Sequence, residues 1–145
     1  MRYLGLDLGT RTLGLSISDR SLTIASPLIT LRFKEGNYEG LIKELDDYVK
    51  KYDVKAFVLG YPKNMDNSEG FASVRSNNFK KLLENNYDIP VYLVDERLTT
   101  KESERILLEG DMSRRKRKQV IDNVASSIIL QSFLERKKNE EGSNN

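Results

Sequence analysis

The chain has 145 residues, 38% of them hydrophobic, with a formal net charge of +2. That length amounts to one domain with enough apolar material for one core. It contains neither cysteine nor histidine. This excludes disulfide frameworks, thiolate or imidazole metal sites and histidine-based catalysis, and leaves oxygen ligands and hard ions such as Mg²⁺ or Mn²⁺ for any metal.

The amino terminus goes directly into a strand, with no apolar signal core. No stretch reaches the roughly 18 apolar residues of a membrane span. A soluble cytoplasmic protein is expected. Leu4, Leu6 and Leu8 alternate with Tyr3, Gly5 and Asp7, and after a Gly9-Thr10-Arg11 turn Leu13, Leu15 and Ile17 alternate with small or polar residues. Period 2 on both sides of a turn predicts a hairpin. A third extended stretch, Leu22 to Ser26, is expected to complete a meander and to stop at Pro27. Tyr38, Leu41, Ile42, Leu45, Tyr48, Val49 and Tyr52 then keep helical spacing on one stripe. Ala56-Phe57-Val58-Leu59 is a short strand whose unbroken apolar run predicts burial on both faces. Gly60-Tyr61-Pro62 ends it, and the polar segment Lys63 to Gly70 leaves as a loop.

Phe71, Val74, Phe79, Leu82 and Leu83 form the apolar face of a second helix, closed off by Asn85-Asn86 and Pro90. Val91 to Val94 is another strand, ending in Asp95-Glu96-Arg97. Thr99 followed by Glu102 is a capping-box pattern, so a third helix is expected from there to Gly110. Asp111 to Gln119 is basic and disorder-prone. Val120 to Leu134 is predicted as the last helix, with Asp122 in its first turn. One domain over 1–138 and a disordered polar tail over 139–145 complete the division. The architecture is α/β: a mixed sheet in which an antiparallel meander of three strands precedes parallel strands with covering helices.

Asp7 lies in the most apolar stretch of its strand, where a charge costs several kcal/mol unless it is paired or binds a metal. The bland alternative is a solvated aspartate near the end of an edge strand. Gly5 and Gly9 favour the functional reading, since they leave room for a ligand near the backbone. Asp95-Glu96 ends a strand, and function in parallel α/β segments gathers beyond the carboxyl ends of strands. Asp122 could serve only as a helix-dipole partner, worth about 0.3–1 kcal/mol. Its neighbour one turn on, however, is the small Ser126, which would leave space beside the sheet. Carboxylates converging without histidine repel one another unless divalent cations intervene. Two such ions about 4 Å apart are a known arrangement for phosphodiester hydrolysis. Arg114-Arg115-Lys116-Arg117-Lys118 is a run of positive side chains just before Asp122, suited to a phosphate backbone although also compatible with a solvated loop. Arg11, Lys63, Arg75 and Arg97 add phosphate contacts from neighbouring loops. Nothing indicates base-specific readout.

The motifs resemble those of the YqgF/RuvX family in the ribonuclease H-like superfamily, small bacterial proteins described as pre-16S rRNA nucleases and, in older naming, as Holliday-junction resolvases. Asp7-Leu8-Gly9-Thr10-Arg11-Thr12-Leu13-Gly14 is similar to the family's opening D-x-G-x-K/R-x-x-G hairpin. Gly60-Tyr61-Pro62-Lys63-Asn64-Met65-Asp66-Asn67 resembles its G-x-P-x-x-x-D-G loop, with Asn67 in place of the usual glycine; asparagine also tolerates a left-handed turn. Asp95-Glu96-Arg97-Leu98-Thr99-Thr100 is similar to its D-E-R-L/F-S/T-S/T run. Asp122-Asn123-Val124-Ala125-Ser126, continuing to Leu134, resembles its terminal helix, with Ser126 where alanine is common. The resemblance covers Tyr3 to about Leu134.

It implies a ribonuclease H-like fold, with a mixed five-stranded sheet and helices on both faces. It also implies a Mg²⁺- or Mn²⁺-dependent nuclease acting on structured nucleic acid, pre-rRNA ahead of junction DNA, in processing the 5′ end of pre-16S rRNA during ribosome biogenesis. The acidic set it implies is Asp7, Glu96 and Asp122, with Asp95 kept as a supporting or substitute ligand. Ribosomal precursor particles are the partners this reading brings in, and a monomer or weak homodimer is expected because no dimer seam is evident. The alternatives are a resolvase acting on four-way DNA junctions and a non-catalytic RNA-binding assembly factor. An actin-like ATPase domain would need a second lobe that this length does not hold.

Overall fold

The computed structural model describes residues 1–61, 70–95 and 114–143. The predicted loop after Tyr61 and the helix predicted from Thr99 to Gly110 lie outside the described residues. The strands are β1 (Arg2–Leu8), β2 (Thr12–Ser18), β3 (Ala25–Arg32), β4 (Val54–Tyr61) and β5 (Val91–Asp95). The helices are α1 (Tyr38–Lys51), α2 (Phe71–Asn86) and α3 (Arg114–Ser143). The strands form one five-stranded sheet in the order β3-β2-β1-β4-β5. β1–β2 and β2–β3 pair antiparallel, while β1–β4 and β4–β5 pair parallel. The expected mixed sheet is therefore present. β1 is its central strand rather than an edge, so Asp7 does not lie on an edge strand.

Alternation along β1 divides the core in two. Leu4, Leu6 and Leu8 join Leu13, Leu15, Phe57 and Leu59 beneath Leu41, Leu45 and Val49 of α1 and Phe79 and Leu83 of α2. Each such leucine contributes roughly 1.5–3 kcal/mol when fully buried. On the opposite face Tyr3, Ala56, Val58 and Val94 pack against Ile129, Leu130 and Leu134 of α3. β4 thus sends residues into both clusters, as its unbroken apolar run predicts.

Several boundaries differ from the sequence reading. The third strand begins at Ala25 and runs through Pro27 to Arg32. Pro27 pairs with Ser16 at a register shift, and the strand is at the sheet edge, where a missing N–H is tolerated. Leu22 has φ 58° and belongs to a turn in which the Asp19 carboxylate accepts from the N–H groups of Thr23 and Ile24. The last helix starts at Arg114, so the basic run is helical rather than a loop, and Asp122 lies well inside the helix instead of in its first turn. Arginine and lysine are good helix formers, and the packed segment from Val124 onward supplies a nucleus from which the helix extends. The same helix runs to Ser143, through most of the segment expected as a polar tail.

Candidate active site

α3 crosses the sheet antiparallel to β1. Lys137 Nζ donates to the Tyr3 hydroxyl at 2.5 Å, near the start of the strand. Further along, the Ser16 hydroxyl donates to the Ser126 carbonyl at 2.9 Å and the Ser126 hydroxyl to Ser16 Oγ at 3.0 Å. Gly5 lies under this contact. A Cβ built there would fall on Ser16 Oγ, 2.9 Å from Leu130 Cβ and 3.0 Å from the Ser126 carbonyl. The space at Gly5 therefore belongs to the helix and not to a ligand. Gly9 serves the hairpin turn, its N–H donating to the Thr12 carbonyl at 2.8 Å. Ser126, fully buried, fills its site rather than leaving a gap, since its smallness brings helix and sheet together.

The crossing fixes what comes next. From Gly5 to Asp7 is two strand residues, about 6.7 Å. From Ser126 back to Asp122 is one helical turn, about 6 Å. The backbone of residue 122 therefore reaches the level of Asp7, on the α3 face that Tyr3, Gly5 and Asp7 share. The Asp122 side chain lies outside the described residues. Asp7 is partly buried at the carboxyl end of β1.

On the other side of Asp7, β4 pairs Leu59 with Leu6, so Gly60 is level with Asp7 and places no side chain on that face. β5 pairs Asp95 with Tyr61, at the same end of the sheet. Val91 belongs to the α1–α2 cluster and Val94 to the α3 cluster. Alternation thus turns Asp95 toward the α1–α2 face, away from the face of Asp7. Glu96, the next residue, lies outside the described residues, as do Lys63 and Arg97.

Of the predicted phosphate contacts, Arg11 is exposed in the β1–β2 turn and Arg75 is half-buried in the second turn of α2. Arg114, Arg115, Lys116, Arg117 and Lys118 occupy the start of α3. At 1.5 Å per residue they lie about 12–18 Å from the Ser126 level, beyond the sheet end that carries Asp7. Sequence reasoning passed over Arg32 and Lys34 at the end of β3, because it stopped that strand at Pro27.

A family model described as RuvX: Holliday junction resolvase matches residues 1–136. The chain belongs to the RuvX family. A relative from Caldanaerobacter subterraneus, named "Putative pre-16S rRNA nuclease", is 49% identical over 140 residues, 96% of this chain and 99% of that one. The Bacillus subtilis protein of the same name is 44% identical over 135 residues, 93% of this chain and 98% of its own. Among solved structures, Thermus thermophilus RuvC in complex with a Holliday junction substrate aligns at a TM-score of 0.60 and 14% identity, covering 95% of this chain and 96% of that one. The fowlpox virus Holliday junction resolvase aligns at 0.54 and 14%, covering 94% and 99%. At those identities the structures establish a shared fold, the ribonuclease H-like one, and the RuvX relatives establish the family of nucleases.

Proposed function

We propose that this RuvX-family chain is a metal-dependent endonuclease that hydrolyses phosphodiester bonds of structured RNA, processing the 5′ end of pre-16S rRNA in the cytoplasm. Asp7, Glu96 and Asp122 form its catalytic set. The observation that carries this reading is the antiparallel crossing of α3 over Gly5, which brings residue 122 level with Asp7 on one face of the sheet. Glu96 ranks ahead of Asp95, since alternation on β5 turns Asp95 to the face opposite Asp7. Carboxylate oxygens alone suit Mg²⁺ or Mn²⁺. Such an ion, when bound, supplies Lewis-acid activation of water and neutralises charge on the phosphate. The protein's own cations hold the substrate backbone: Arg11, Lys63, Arg75, Arg97 and the run from Arg114 to Lys118. Cations at the start of a helix oppose its dipole by about 0.3–1 kcal/mol each, and a phosphate partner relieves that opposition. Ribosomal precursor particles are the setting for this substrate, and a monomer or weak homodimer suffices for single-site cleavage.

The names of the sequence relatives support precursor rRNA. The description of the family model supports a second reading, cleavage of four-way DNA junctions. Purified protein and its Asp7→Asn variant, incubated with precursor rRNA and with a four-way junction in Mg²⁺ and in Mn²⁺, separate the two. Site-specific RNA cleavage lost in the variant is expected. Symmetric junction cuts with untouched RNA would transfer the assignment to the resolvase reading, and no cleavage of either would favour a non-catalytic assembly factor.

A further inference from the structure

Arg11, Arg32 and Lys34 lie together at the start of β2 and the end of β3, around an open groove of about 540 Å³ that Phe33 and Glu35 also line. All three cations are exposed. Among the described residues no ion pair takes up any of them, and Glu35 is the single carboxylate lining the groove. The arrangement is built rather than incidental. The Phe33 N–H donates to the Arg11 carbonyl at 2.9 Å, which locks the hairpin turn to the end of β3. The Phe33 ring packs against Tyr38 with centroids 5.7 Å apart, which holds the segment after β3 against the start of α1.

Position relates this groove to the acids. Asp7 pairs with Gly14, and Gly14 with Thr30. Arg32 pairs with Thr12, two residues further toward the sheet end. Leu31 faces the α1–α2 cluster, so alternation puts Arg32 on the face that carries Asp7. Two strand spacings across and two residues along place it about 12 Å from Asp7. The start of α3 extends past the same end of the sheet.

We propose that Arg11, Arg32 and Lys34 form a second phosphate-binding subsite, which grips the nucleic-acid backbone to the β3 side of the scissile bond. It rests on the nuclease reading above and adds to it the direction in which the substrate leaves the acids. The groove acts as a positioning device: it recognises backbone charge and not base identity.

The test uses the full-length chain carrying Arg32→Ala and Lys34→Ala, with Lys43→Ala/Lys51→Ala on α1 as a charge-matched control. Binding of single-stranded precursor RNA is measured against salt in the Asp7→Asn background, where no cleavage intervenes. The groove variant should bind more weakly, with a log–log salt slope shallower by roughly 1.4 for two lost single-strand contacts, while the control keeps the wild-type slope. In the cleaving protein the loss should fall on KM rather than kcat. It should vanish for a substrate truncated close to the scissile bond on one side and persist when the other side is truncated. A slope equal to wild type, or a change matched by the control, overturns the subsite and leaves the nuclease reading intact. Binding that weakens as expected in a protein that cleaves nothing supports the subsite and defeats the nuclease reading instead.

Discussion

Asp7 is flanked along its strand by Leu6, fully buried, and Leu8, nearly so, and its own carboxyl group points to the other face. In the proposed catalytic set a carboxylate there would contribute to chemistry more than to folding, because bringing it near further acids costs energy in the absence of cations. Asp7→Asn should therefore remove cleavage at any Mg²⁺ concentration while leaving the melting temperature equal or slightly higher. A variant that cleaves at wild-type rate would dismiss Asp7 from the catalytic set. Asp19 has the opposite character. Hydrogen bonds from the Ile24 N–H, the Ser21 hydroxyl and the Thr23 N–H hold its carboxyl down at about 2, from an ordinary value of 3.8. A depressed folded-state value stabilises the native chain above the unfolded value, and that contribution is lost as pH falls from 3.8 toward about 2. Comparing thermal melts of wild type and Asp19→Asn should show wild type ahead at neutral pH, with the gap closing across that acid window. A gap unchanged through the window would mean that the turn does not depend on the charge.

The contact of α3 with the β1–β2 hairpin ties folding to the site. Gly5→Ala would push Cβ against Leu130 and the Ser126 carbonyl as well as the Ser16 hydroxyl, and overpacking of this kind typically costs about 1–3 kcal/mol. Because the same helix carries Asp122, cleavage should fall further than the melting temperature alone explains, and Ser16→Ala should recover part of the loss by removing one of the opposing atoms. Full activity in Gly5→Ala would show that the helix position is not coupled to the acids. Much of this architecture is legible from pattern. Period 2 around Gly9-Thr10-Arg11 yields the hairpin, the stripe from Tyr38 to Tyr52 yields α1, and an acid in an apolar strand singles out Asp7. What pattern does not carry is position within the sheet. Pro27 ends a central strand but not an edge strand, so β3 reads short and Arg32 and Lys34 go unnoticed. Gly5 reads as room for a ligand because a sequence does not say which helix will lie across it. The helical state of Arg114 to Lys118 is equally hidden, since it depends on a nucleus further along the chain.

At the scale of the whole molecule, composition constrains the reaction as strongly as geometry does. With no histidine and no cysteine in 145 residues, the chain has no imidazole to deprotonate a ribose 2′-hydroxyl and no thiolate nucleophile. Transfer through the neighbouring 2′-oxygen, which leaves a 2′,3′-cyclic phosphate, therefore lacks its usual general base. The carboxylates proposed at the sheet end, which would hold hard ions, instead suit direct attack of water on phosphorus with departure of the 3′-oxygen. Products should carry 5′-phosphate and 3′-hydroxyl ends. A single 2′-deoxy substitution at the scissile nucleotide should leave the cleavage rate within a small factor of the all-ribose substrate. The measurement is end-group analysis of the cut precursor by phosphatase and ligase sensitivity, run beside the deoxy-substituted substrate. A cyclic phosphate would show that the 2′-hydroxyl is the nucleophile and would remove the carboxylate-centred mechanism from this fold.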